Sequence, residues 1–230
     1  MIQRATLALL LGLSQVSAFP VISEIMFHPP HRDPQTGGEN PLEEWIEIHN
    51  RGFGDLNLAG WALEGVDYIF PNVAIPEGGF LVIAADEATF RAHNPAVLNV
   101  IGGWRGRLSN SGEEIRLLDH TGSEIDAVDY ADSGDWARRR PGSNDRGYTG
   151  WTWHAPADGG GRTLELVNLH ARNDTGQNWE VSSEEGGTPG SPNSARQVNV
   201  APFVEDVSHH PSVPTPQDLV LVRARLRDDL

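Results

Sequence analysis

Hydrophobic and polar positions along this chain alternate in short runs typical of β-strands. Val21 to Phe27 reads as a first strand. Trp45 to His49 alternates, with Ile46 and Ile48 on one face and Trp45, Glu47 and His49 on the other. Phe80 to Ala85 is the kind of short apolar run that forms a buried strand, and Thr163 to Val167 makes a late one. Glu114 to Leu118 and Glu124 to Tyr130 are predicted to pair as a hairpin across Asp119-His120-Thr121-Gly122. A brief helix is predicted up to His93, with Asp86 as its N-cap and a stop before Pro95. Strands at this spacing, punctuated by Gly and Pro, predict an all-β sandwich.

The same pattern divides the chain. Residues 1–18 have the form of a secretion signal: Arg4, the apolar run Leu7 to Leu13, then the small-residue cleavage site Val16-Ser17-Ala18. That run is too short to span a bilayer, which sets cleavage above an uncleaved anchor. The main domain is expected over 19–193 and ends in Gly186-Gly187-Thr188-Pro189-Gly190-Ser191-Pro192-Asn193, a stretch that interrupts regular structure. It offers roughly 175 residues, enough for one sizeable core. Residues 194–199 read as a linker. From residue 200, Val200 to Val204 and Leu219 to Ala224 look like the first two strands of a second immunoglobulin-like module. Such a module needs about 100 residues, so the expectation is the N-terminal part of a longer multi-domain protein or a truncated reading frame. Ala131 to Arg162 is a long insertion rich in Gly, Arg and Trp, too long for an ordinary sandwich loop and so either functional or partly disordered.

Two blocks carry a family resemblance. One is Glu44-Trp45-Ile46-Glu47-Ile48-His49-Asn50 with Leu58-Ala59-Gly60-Trp61-Ala62-Leu63; the other is Gly106 to Asp119. Tyr68-Ile69-Phe70-Pro71 and Ile75 to Ile83 lie between them. In this order they resemble the lamin tail domain, an immunoglobulin-like β-sandwich. Asp158-Gly159-Gly160-Gly161 before Leu164-Glu165-Leu166, then Gln177-Asn178-Trp179, extend the likeness to about residues 20–193, nearer to exported bacterial members than to nuclear lamins. The resemblance implies that Trp45, Trp61 and Trp179 are core or core-edge residues. It supplies no catalytic residues. It also implies a context, since bacterial relatives attach such modules to surface proteins, nucleases or kinase-like domains.

Charge narrows the partners. All 17 basic residues are arginine, set against 32 acids, for a net charge of −15, and loss of Arg4 with the signal makes it one more negative. Phosphate backbones repel such a chain, so nucleic acid is a disfavoured partner. There is no cysteine, and an exported domain without disulfides depends on its core alone.

Candidate chemistry is sparse. Trp151 and Trp153 share a strand face, with Trp136 and Tyr148 nearby; the rings are either platforms for a sugar or protein partner or packing that pins the insertion down, and the average burial of Trp favours packing. Arg138-Arg139-Arg140 suits an acidic protein, a phosphate or a carboxylated glycan, but internal pairing with Asp132, Asp135 or Asp145 is the expected use in so acidic a chain. Asp126, Asp129, Asp132 and Asp135 recur every three residues, the one arrangement that raises a calcium site, although it lacks EF-hand spacing and a strand sends Asp126 and Asp129 to opposite sides. Glu24, Glu43, Glu44 and Glu47 read as a solvated face. His28-Pro29-Pro30-His31 offers two imidazoles, but zinc needs three or four ligands and no third His lies nearby in sequence, so a turn is expected; His209-His210 reads as a loop. Ser109 and Ser111 are not in a nucleophile elbow, and Gly159-Gly160-Gly161 is a turn and not a phosphate loop. The sequence therefore points to a non-catalytic exported module for adhesion or docking, secreted or held at the cell surface, binding an unknown protein or glycan and needing no cofactor unless calcium. The other readings are a structural spacer in a sandwich array, with the Trp rings buried, and an accessory domain of an exported hydrolase or kinase-like protein whose catalytic part follows residue 230.

Overall fold

Period-two alternation accounts for one face of the central strands; the other face is apolar or acidic, and both are buried. The computed structural model describes residues 19–33 and 35–228, so the predicted signal over 1–18 lies outside the described residues. In chain order the strands are β1 (Pro20–Met26), β2 (Trp45–Asn50), β3 (Leu56–Asn57), β4 (Ala62–Glu64), β5 (Tyr68–Ile69), β6 (Ala74–Ile75), β7 (Phe80–Ala84), β8 (Val100–Gly102), β9 (Gly112–Leu118), β10 (Glu124–Ala131), β11 (Arg138–Asp145), β12 (Tyr148–His154), β13 (Leu164–Leu166), β14 (Trp179–Val181), β15 (Phe203–His210) and β16 (Leu221–Arg227). The helix α1 (Glu87–His93) joins β7 to β8. Its Asp86 cap accepts the Thr89 N–H at 2.7 Å, as the sequence predicted. Among the described residues no helix is long and apolar enough to cross a membrane.

Two sheets make the sandwich: β14-β13-β1-β2-β7-β8 and β10-β9-β4-β5. β7 and β8 run parallel, which requires a crossover, and α1 supplies it. The inner faces interlock through Ile22, Ile25, Ile46, Ile48, Leu81 and Ile83 on one side and Leu63, Ile115, Leu117, Val128 and Tyr130 on the other, all in one buried cluster. Phe27 and Tyr130 meet with ring centroids 4.9 Å apart, and the Tyr130 hydroxyl donates to the Ser109 carbonyl at 2.7 Å. Trp45, Trp61 and Trp179 are buried.

On the outer face of the larger sheet, α1 packs Phe90 onto Met26, Trp45, Val82, Ala84 and Val100. Beside it lies an acidic row, and beyond that His49 stacks on Phe80 at 4.3 Å. Glu165 pairs across strands with Glu24, and Glu24 with Glu47. The expectation of a solvated face fails here: Glu24, Glu44 and Glu47 are fully buried, as is Glu165. Only Glu43 keeps partial exposure. The cover is the Gly- and Pro-rich stretch predicted as the domain end. Thr188 donates its N–H to Glu24 Oε1 at 2.8 Å and its hydroxyl to Glu165 Oε1 at 2.9 Å, Gly190 donates to Glu47 Oε2 at 2.7 Å, and Ala195 donates to Glu165 Oε2 at 2.7 Å. Gly187, at φ +78°, lies so close that a Cβ there would fall 2.2 Å from Glu24 Oε1. Thr163 and Ser23 hydroxyls complete the set, on Glu24 and Glu47 at 2.6 and 2.8 Å. Separately, Leu108 donates its N–H to Glu44 Oε2 at 2.7 Å.

Past this cover the chain stays against the sheet: Gln197 donates to the Val167 carbonyl at 2.9 Å and Asn168 to the Val198 carbonyl at 3.1 Å. β15 and β16 then pair as an antiparallel hairpin, and His209 and His210 end a strand of it where a loop was expected. Its base docks on the 172–178 loop, where Gln177 exchanges both hydrogen bonds with the Val204 backbone and Arg172 pairs with Glu205.

Loss of hydration pushes the Glu24 carboxyl up from 4.5 to about 8, and Glu165 beside it adds to the shift. Burial, then the proximity of Glu24, drives Glu47 well above the ordinary carboxylate range. A carboxyl with a raised folded pKa stabilises the fold fully below its unfolded value and loses that contribution as pH rises through its folded value. With each unit worth about 1.4 kcal/mol, urea unfolding is expected to show a fold several kcal/mol weaker at pH 8 than at pH 5. Glu24→Gln keeps the acceptor oxygen but cannot ionise, so it should remove a measurable part of that fall. An equal fall in the variant would show that the row does not hold the proton.

Candidate binding surface

The insertion is an ordered two-stranded arm. β11 and β12 pair antiparallel through a two-residue turn, with Asp145 opposite Tyr148. The turn is Arg146-Gly147, both at positive φ (50° and 90°), the conformation that suits the twist of a tight hairpin. Asn144 Oδ1 accepts the Gly147 N–H at 3.1 Å and steadies it. A register shift between Pro141 and Asn144 bends the arm.

Each end of the arm is fastened to the sandwich. Before β11, the Trp136 ring is tilted against Trp179 at 5.6 Å, and Arg138 pairs with Glu180 of β14 at 2.6 Å. Gly176 lets its loop approach closely, since a Cβ there would sit 2.5 Å from the Asp135 carbonyl carbon. After β12, Ala157 is buried and Asp158 meets His28 Nδ1 at 2.5 Å.

Between these anchors the side chains are free. Cross-strand register sets Arg139 opposite Trp153 and Pro141 opposite Trp151, so Arg139, Trp151 and Trp153 share one face. The Arg139 guanidinium stands 5.1 Å from the Trp153 ring centroid and 5.9 Å from that of Trp151. Trp151 is 65% exposed, Trp153 46% and Tyr148 82%. The expected packing of Trp151 and Trp153 is therefore corrected: among the described residues no second layer covers the rings of the arm. Trp136 alone of the named aromatics packs. Internal pairing holds for Arg138, but with Glu180 and not with Asp132, Asp135 or Asp145; Arg139 lies over the Trp rings, and Arg140 is exposed on the opposite face with Arg138.

The four aspartates do not converge. Among the described residues no three of Asp126, Asp129, Asp132 and Asp135 bring ligand oxygens within 4.8 Å of one another. Strand alternation parts Asp126 from Asp129, and Asp132 and Asp135 lie beyond β10. Asp126 ties the two sheets together: its Oδ2 accepts the Ile22 N–H at 2.7 Å, and Asn173 donates to its Oδ1 at 2.9 Å. Burial pushes its carboxyl up to about 6. Asp135 accepts from Gln177 at 3.1 Å.

A different set does converge. His31, Glu43 and His93 hold ligand atoms within 4.8 Å of one another. No third histidine lies near His28 and His31 along the chain; His93 arrives through space, from the last turn of α1. Helical spacing from Phe90, which must be buried, was the available signal.

A family model for the Lamin Tail Domain matches residues 15–132. No curated protein matches the chain. The matched segment covers half of the chain and ends just before the arm. It takes in every strand of the smaller sheet and the central strands of the larger one. By that match, and by the two-sheet immunoglobulin-like sandwich that it occupies, the chain belongs to the lamin tail domain family.

Proposed function

We propose that this chain is an exported, non-catalytic binding module that presents the β11–β12 arm to a carboxylated glycan, either in the medium or at the cell surface. The observation that carries this reading is the exposed Arg139–Trp153–Trp151 face, held out on a ribbon anchored at both ends. Tryptophan faces take the C–H face of a sugar ring, and a guanidinium takes its carboxylate through two parallel hydrogen bonds. Two rings at i and i+2 on a strand stand about 6.6 Å apart, which offers an extended chain consecutive contacts. The arm brings four arginines, Arg138, Arg139, Arg140 and Arg146, to a molecule of charge −15, so an acidic polymer meets attraction there and repulsion elsewhere. The leader-like stretch ending at Ala18 supports export. A spacer in a sandwich array has no use for exposed rings at this position, and the exposure of Trp151 and Trp153 counts against it.

Affinity electrophoresis of the full chain in polygalacturonate, with neutral dextran as control, tests this. Retardation is expected in the acidic polymer alone, weakening as salt is raised. Arg139→Ala and Trp153→Ala should each reduce affinity about tenfold, equal to about 1.4 kcal/mol, with unfolding free energies within about 0.5 kcal/mol of the parent because both sites are exposed. Retardation unchanged by both substitutions, or none at all, sinks the proposal. By contrast Trp136→Ala, which removes the contact with Trp179, is expected to cost about 2–3 kcal/mol of stability in urea unfolding.

A further inference from the structure

We propose that His31, Glu43 and His93 form a binding site for one divalent transition-metal ion of the zinc class. The residues come from three elements: the loop after β1, the 3-10 turn Pro41–Glu43, and the last turn of α1. Their ligand atoms all lie within 4.8 Å of one another. Zinc holds nitrogen and oxygen ligands at about 2.0–2.2 Å, which sets tetrahedral ligand pairs about 3.4 Å apart, so closure asks for side-chain movement of about 1 Å. His31 supplies that movement. Its side chain is 61% exposed, and its ring now stacks on that of His93 with centroids 5.1 Å apart and planes 11° apart. A shared ion lies near both ring planes, so His31 turns out of the stack to bind it.

Glu43 is the fixed member. Its side chain is 10% exposed, and its one ion-pair partner among the described residues is His31, whose Nδ1 lies 2.6 Å from Oε2. The other oxygen, Oε1, accepts from Asn40 Nδ2 at 2.8 Å, the kind of outer contact that orients a ligating carboxylate. An ion bound at His31 Nδ1 replaces that nitrogen's contact with Glu43 Oε2: a neutral ring carries its hydrogen on Nε2, and a ring that starts protonated releases one proton to solvent. Beside the three residues opens a pocket of about 280 Å³, lined also by Trp45, Phe90 and Glu185, with room for a fourth ligand.

The donor set chooses the ion. Two imidazoles and one carboxylate suit zinc, cobalt or nickel; calcium and magnesium prefer oxygen alone, and a thiol-seeking ion finds no cysteine in this chain.

The test is calorimetric titration of the metal-stripped full chain with zinc chloride, with cobalt chloride added separately to read the visible absorption of a low-coordinate site. One equivalent of zinc is expected, with a rise in thermal midpoint that grows with zinc concentration. His93→Ala and Glu43→Gln should each weaken zinc binding at least about tenfold, since even outer-shell changes cost about 10–100-fold. Their metal-free far-ultraviolet spectra and thermal midpoints should match the parent, as His93 is exposed and Gln keeps the Asn40 contact. A double His209→Ala, His210→Ala variant should bind zinc as the parent does. The proposal is overturned by absence of stoichiometric binding, by parental affinity in both site variants, or by loss of binding in the His209/His210 variant alone.

Discussion

The row Glu165–Glu24–Glu47 is the constraint on which the larger sheet depends. Three carboxyl groups in register on adjacent strands would repel one another if all were ionised, and they lose their hydration when covered. They are tolerated because backbone N–H groups of Thr188, Gly190 and Ala195 and hydroxyls of Ser23, Thr163, Thr188 and Ser194 point at them. The same contacts fasten a segment without regular structure across β13 and across β1 and β2, which lie more than a hundred residues earlier in the chain. A row of apolar side chains would bury area at less cost but would accept any greasy cover in any register. Directed hydrogen bonds to carboxylates admit one placement of the closing stretch.

That cover frees the rest of the outer face for α1. Phe90 meets Trp45 edge to face at 5.9 Å, and the crossover sets β8 parallel to β7. The two halves of the outer face thus use different physics, directed polar contacts over β13, β1 and β2 and apolar packing over β2, β7 and β8. The arm belongs to neither half. It leaves after the smaller sheet is complete and returns before β13, so its side chains have no core to enter and its exposure follows from topology.

Much of this was legible in the sequence. Alternation found β2 and its inward pair Ile46 and Ile48; Asp86 and Pro95 bounded α1; Asp119 to Gly122 located the β9–β10 turn, where Asp119 Oδ1 accepts the Thr121 and Ser123 N–H groups. The family blocks gave the sandwich and the buried Trp45, Trp61 and Trp179. The outward set of β2 was misread because a polar face on a strand normally meets water, and nothing local to Glu24 or Glu47 announces a cover arriving from residue 188 onward. Trp151 and Trp153 were misread for the converse reason: average burial describes a ring with a layer to face, and a solitary ribbon has none. Arg146-Gly147 was a readable turn, and it would have shown the insertion to be a hairpin.

The His31–Glu43–His93 grouping shows why long-range convergence escapes a reading along the chain while still being fixed by it. Met26 leads into the loop that carries His31, Trp45 follows Glu43 by two residues, and Phe90 precedes His93 by one helical turn. Met26, Trp45 and Phe90 are themselves in contact within the second apolar cluster. Each polar residue is thus tethered to a buried neighbour, and packing the three neighbours together brings the three polar groups to the same rim. The floor of the pocket is the device that positions its polar edge. This sandwich holds its β1–β2 loop and its crossover helix side by side through such packing, and side-chain identity at the rim then decides what chemistry that edge carries.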